Sequence, residues 1–291
     1  MAPLQPTLKA MTFRFDVATR VTTNGAGAYS ARVHDGWDIG GNANGGYLLA
    51  LVASALREAT GRALPVALSC HYLGPVNDAD VVIETRLVKS GKAFATALAT
   101  MRQGDRVIVT AIGTCGDALP GDAPATDRDS RGATQSPERG AVYSTHSMPT
   151  MPPFADSVPR GPTTAGLPGL MNNVDVRLHP DDTGFARGEP NGTALVRGWC
   201  AFRDARPVDA LALTLFCDAL PPAMFNVSGP PGWVPTVQLS FFLRGLPDGK
   251  PVCAEFVTRR MHDGMFEEDG SIWNASGELV AQSRQLALLP R

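Results

Sequence analysis

The chain has 291 residues, with 26 Lys and Arg against 28 Asp and Glu for a formal net charge of −2; 44% of it is apolar and 19% charged. That length and apolar fraction suffice for one large domain or two small ones with a real core, and they exclude disorder throughout. A near-zero charge with basic residues scattered singly offers no footprint for a phosphate backbone, so no nucleic-acid partner is expected.

In chain order, residues 1–20 lack the apolar core of a signal peptide. Apolar runs such as residues 48–55 are too short for a membrane span, so a cytoplasmic location is expected. Alternation at Phe13, Phe15 and Val17, and again at Tyr29, Ala31 and Val33, around the turn signal Asn24-Gly25, predicts a hairpin. After Trp37, GGNANGG leads into YLLALVASALREATG, apolar almost all round until Arg57 and Glu58. This predicts an enclosed helix, capped by Asn44 and ended by Gly61. The segments VALSCHYLGPV, VVIETRLVKSG and KAFATALATMRQGDRVIVTAIGTC then read as strands, the last holding two strands around a QGDR turn.

The chain carries 30 Gly and 24 Pro, above the roughly 12% of average usage. They concentrate between Gly116 and Gly169, where no helical or strand period survives. Residues 118–168 therefore read as a linker or a long surface excursion between 11–117 and 169–291. The five cysteines (Cys70, Cys115, Cys200, Cys217, Cys253) are odd in number and lack ligand spacing, so buried, reduced thiols are expected rather than disulfides or structural zinc.

The second half repeats the order of the first. VALSCHYL (66–73) overlays TVQLSFFL (236–243) at an offset of 170, Phe94 meets Phe266, and the turn Gln103-Gly104-Asp105 meets Ser276-Gly277-Glu278. The doublets Gly36-Trp37 and Gly198-Trp199 precede each helix, and VDALALTLFCDAL, closed by Pro221-Pro222, stands where YLLALVASALREA stood. One helix wrapped by an antiparallel sheet cannot bury both faces alone, whereas two such units side by side can. The expected fold class is α+β, a double hotdog of two repeats, each with a central helix wrapped by an antiparallel β-sheet.

GNANGGYLLAL with HYLGPV and RLVKSGKAFATALATMRQGDRVIVTAIGTC resembles the N-terminal half of the type II acyl-CoA thioesterases. TLFCDALPP, PTVQLSFFLRGL and GELVAQSRQLALLP are similar to their C-terminal half. The resemblance implies a thioester hydrolase that acts on acyl-CoA without metal or organic cofactor, and catalysis by Asp218, Thr236 and Gln285 holding the hydrolytic water.

The repeat points to the same residues. At an offset of 170 to 173, Leu48 pairs with Asp218, Val66 with Thr236 and Ile112 with Gln285, so three polar side chains replace three packing residues. Buried polar groups cost about 1–3 kcal/mol each unless hydrogen-bonded, so these three are expected to bond one another or a shared ligand. The start of the first helix, at Asn44, Gly45 and Gly46, would offer free N–H groups to the substrate oxyanion. An apolar slot between the two helices would take the acyl chain, and GPPGWVP (229–235) would shape the mouth of the site.

Each residue also has an ordinary reading. Asp218 suits a turn before Pro221-Pro222, Thr236 is an ordinary strand residue, and Gln285 shares its face with a small, apolar set. Thr236 also lies off the apolar face of 236–243, so either its own face opens onto the site or a bulge intervenes. Glu267, Glu268 and Asp269 beside Gly270 read as a solvated turn, and the five histidines as surface or structural. Two further functions stay open, an acyl-CoA or lipid binder without turnover and a hotdog hydratase or dehydratase. An exposed sheet face or edge would allow a homodimer.

Overall fold

The computed structural model describes residues 12–119, 144–161, 168–230 and 232–289. Its first element is a short helix, α1 (Arg14–Ala18), and not a strand at Phe13–Val17. Three alternating apolar residues are too few to fix a period, and Phe15 with Ala18, three apart, forms the inward face of a helical turn while Val17 is exposed. Phe15 anchors the turn against Phe202, 4.9 Å between ring centres, and Trp37, 5.7 Å. The hairpin follows as β1 (Val21–Gly25) and β2 (Ala28–Val33). Gly25, Ala26 and Gly27 carry the turn at φ of 83°, 50° and 80°, which explains the Asn24-Gly25 signal.

The central helix α2 (Gly45–Thr60) is capped by the Asn44 side chain and ends at Gly61 with φ 64°. The strands β3 (Leu64–Tyr72), β4 (Ala79–Ser90), β5 (Phe94–Gln103) and β6 (Arg106–Gly116) complete the first half. The second half runs β7 (Val174–Leu178), β8 (Leu195–Phe202), α3 (Ala210–Phe216), β9 (Thr236–Leu243), β10 (Val252–Val257), β11 (Met265–Trp273) and β12 (Leu279–Leu288). All twelve strands belong to one sheet ordered β1-β2-β4-β5-β6-β3-β9-β12-β11-β10-β8-β7. Outward from the β3–β9 junction the two halves present their strands in the same chain order. The two halves thus share one strand order.

The register of that repeat differs from the sequence alignment by one residue. Val66 is an extra residue in β3 against β6, since Pro65 pairs with Cys115 and Ala67 with Thr114. Val237 is the matching extra residue in β9, since Thr236 pairs with Ala287 and Gln238 with Leu286. Aligning the bulges puts Thr236 opposite Pro65, not Val66. Cross-strand pairing then puts Gln285 opposite Gly113, not Ile112, because Leu239 pairs with Gln285 and Leu68 with Gly113. Burial agrees, Ile112 being 45% exposed and Gln285 6%. Aligning the caps Asn44 and Asp209 likewise sets Leu48 against Leu213, and Asp218 falls beyond α3. The Gly-Trp doublets are not equivalent either: Trp37 lies in a bend before α2, Trp199 within β8.

The linker expectation holds a further correction. Residues 120–143 and 162–167 of the 118–168 stretch lie outside the described residues. Residues 144–161, however, are part of the packed body. Val158–Pro159 pairs with β7, Trp199 donates its indole N–H to the Pro152 carbonyl at 2.9 Å, and Met148, Met151 and Phe154 cover Trp199, Cys253 and Trp273. Apolar side chains carried on Pro-rich backbone can pack without any regular period. All five cysteines are free and buried. Among the described residues no helix is long and apolar enough to cross a membrane.

Candidate active site

The first turn of α2 meets the end of α3. Asn44 accepts the Tyr47 N–H on Oδ1 at 3.0 Å, and its Nδ2 donates to the carbonyl and to Oδ2 of Asp218 at 2.8 and 2.9 Å. The Gly46 N–H donates to the same Oδ2 at 3.0 Å. Asp218 sits two residues past α3 rather than on it, and its carboxylate covers the positive N-terminal end of the longer helix α2. Asn44 and Gly46, expected to stand free for an oxyanion together with Gly45, thus hold Asp218 instead. Tyr72 donates its hydroxyl to the Gly45 carbonyl at 2.7 Å and pins the same turn.

The helices touch here. A Cβ placed on Gly46 would lie 2.5 Å from the Leu215 carbonyl oxygen and 3.0 Å from that of Thr214. No open slot runs between the helices at this crossing. A cavity of about 900 Å³ opens beside it, lined by Asp218, Asn44, Gly45, Leu48 and Tyr72, by Thr236, Gln285 and Phe266, and by the loop Trp233-Val234-Pro235. Arg160 also lines it, and burial holds its guanidinium down to about 10. No histidine does.

On the sheet side, the bulge at Val237 turns Thr236 inward with Gln285. The Thr236 hydroxyl donates to Gln285 Oε1 at 2.9 Å. Gln285 Nε2 donates to Glu268 Oε1 at 2.7 Å, and the Ala223 N–H donates to Glu268 Oε2 at 2.6 Å. Asp218, Thr236 and Gln285 therefore share one cavity, two of them directly bonded. Glu268, expected in a solvated turn, lies within β11 instead and is 2% exposed. The repeat at its true register carried the signal: Ala97 pairs with Gly113 as Glu268 pairs with Gln285, so a buried Glu replaces a buried Ala.

Both carboxylates titrate high. Burial pushes Asp218 up to about 6 against the pull of the Gly46, Gly45 and Asn44 donors. Burial also pushes Glu268 up to about 7, opposed by Ala223 and Gln285 and reinforced by the charges of Asp218 and Asp269. A carboxyl whose pKa is higher folded than unfolded favours folding in its protonated form. Its contribution is complete below the unfolded value of about 4 and is lost as pH rises through the folded one. The contribution of these two carboxylates to stability is therefore expected to fall between about pH 4 and 7, by ~3 kcal/mol for Asp218. Thermal unfolding of wild type and Asp218→Asn over that range checks it: the variant should gain on wild type as pH rises, and a constant difference would contradict the assignment.

Residues 33–116 match the acyl-CoA thioesterase N-terminal domain and residues 145–289 the acyl-CoA thioesterase C-terminal domain. An uncharacterized protein of Mycobacterium tuberculosis is 30% identical over 96% of this chain and 98% of its own length. A proposed thioesterase II from Thermobifida fusca is also 30% identical, with a TM-score of 0.80 over 96% of this chain and 98% of that one. A protein of Alicyclobacillus acidocaldarius described as having the hot dog fold superposes with a TM-score of 0.76 at 22% identity, over 97% and 99% of the two chains. The fold is thus of hot dog type. With both domain matches covering the two halves in order, the chain belongs to the acyl-CoA thioesterase family.

Proposed function

We propose that the protein is a double hotdog thioesterase, formed by repeats 11–117 and 169–291, that hydrolyses an acyl-CoA to free acid and CoA through a water held by Asp218, Thr236 and Gln285. The observation that carries this reading is their placement on one cavity, at positions where the first repeat offers only Pro65 and Gly113 in place of Thr236 and Gln285.

The hydrogen-bond inventory fits such a water. Thr236 spends its proton on Gln285 and keeps lone pairs to accept from the water; Gln285 keeps one N–H to donate to it. The water's other proton goes to Asp218, whose raised basicity suits a general base near neutral pH. The water oxygen bonds the thioester carbon, the C–S bond breaks, and the proton passes from Asp218 to the departing thiolate.

The test is release of free thiol from short-, medium- and long-chain acyl-CoAs, with an enoyl-CoA alongside. Thiol release is expected for at least one chain length. Tight binding in calorimetry with no release would make the protein an acyl-CoA binder, and hydration of the enoyl-CoA without release would make it a hydratase.

A further inference from the structure

The water-holding scheme leaves Glu268 without a task, although it is the most enclosed carboxylate of the site. No cation neutralises it among the described residues; the nearby Arg259 and Arg284 pair with Asp269, the latter at 3.0 Å. A buried carboxylate without a counter-ion is costly, and its two short hydrogen bonds are what offset that cost here.

Those bonds have a consequence for Gln285. The two ends of a primary amide are nearly equal in shape, and Thr236 can bond either one, because a hydroxyl both donates and accepts. An ionised carboxylate only accepts. We propose that Glu268 is a positioning residue of the hydrolytic site: by accepting from Gln285 Nε2 it fixes the amide with Oε1 on Thr236 and the second N–H left for the water. This inference rests on the function proposed above. With the amide reversed, Thr236 would accept from Gln285 and lose a lone pair to it, while Gln285 would offer the water an acceptor where a donor is needed.

Protonation of Glu268 has the same effect, because a carboxyl O–H competes with the amide for the donor role. The groups that face it are Gln285 on β12, the Ala223 N–H from the loop after α3, and the charges of Asp218 and of Asp269 on its own strand. With Glu268 titrating at about 7, kcat should rise with pH through that value.

The experiment compares wild type with Glu268→Gln, which is close in shape and keeps an acceptor for Ala223. The expected result is kcat lower by up to about 100-fold, KM little changed, and the ascending limb moved from near pH 7 down to that of Asp218 near 6. Wild-type kcat with an unchanged pH profile would overturn the proposal, as would a loss that follows only the unfolded fraction while the limb stays. A second measurement needs neither that variant nor turnover. The Gln285 side-chain amide resonances of the wild-type chain, identified by their absence in Gln285→Glu, should shift with a midpoint near 7. Their invariance between about pH 5 and 9 would refute Glu268 even if hydrolysis itself is found; absence of hydrolysis with the shift present would instead refute the thioesterase reading alone.

Discussion

Asp218→Asn is expected to lower kcat for acyl-CoA hydrolysis by roughly 10²–10⁴-fold while the protein stays folded. The asparagine keeps an oxygen for the Gly46 N–H and leaves the Asn44 bond to the residue 218 carbonyl untouched. What it removes is the lone pair that takes the water's proton. Because burial already penalises the charge of Asp218, the neutral amide should be no less stable than wild type at pH 7 and above. Lost turnover could then not be blamed on unfolding. KM should change little, because in the proposed mechanism Asp218 acts on the water and not on the acyl chain or CoA. The two measurements are steady-state thiol release and urea unfolding. Unchanged turnover in a folded variant would remove Asp218 from the chemistry and with it the proposed mechanism.

Much of the fold was legible in the sequence because its signals are local and long. The sixteen-residue run of α2 has an Asn cap and a Gly stop, and the strands around QGDR alternate over ten residues or more. Shorter elements were not legible. Phe13, Phe15 and Val17 are too few positions to fix a period, and α3 holds only seven residues, so its length could not be read from VDALALTLFCDAL. The register of the repeat failed for a different reason. A bulge adds one residue to a strand without a mark in composition, so each strand offset chosen by similarity slid by one, while the shorter α3 put the helix offset out by five. Thr236 was still found, because either register sets it against an apolar residue, Val66 or Pro65, but Glu268 was not. In EED-G an inward and an outward carboxylate look alike; only the counterpart pair in the first half, Ala97 with Gly113, separates them.

The site also depends on how closely the two halves approach, and this gives the second strong expectation. Gly46→Ala should destabilise the protein by about 1–3 kcal/mol and reduce turnover in the fraction that remains folded. The added Cβ meets the carbonyl oxygens of Leu215 and Thr214 and the Cβ of Asp218, at 2.5, 3.0 and 3.0 Å. Backbone atoms cannot rotate out of the way, so α2 must move off α3. That movement lengthens the 3.0 Å bond from Gly46 to Asp218 and shifts the carboxylate from its place beside the cavity. Gly61→Ala is the control. Gly61 has positive φ and nothing within 4 Å of a new Cβ, so its replacement costs roughly 1 kcal/mol of conformational strain far from the site. Both variants should lose stability in urea, but only Gly46→Ala should lose kcat per folded molecule. Equal kcat in the two would mean that the α2–α3 contact holds the halves together without tuning the base.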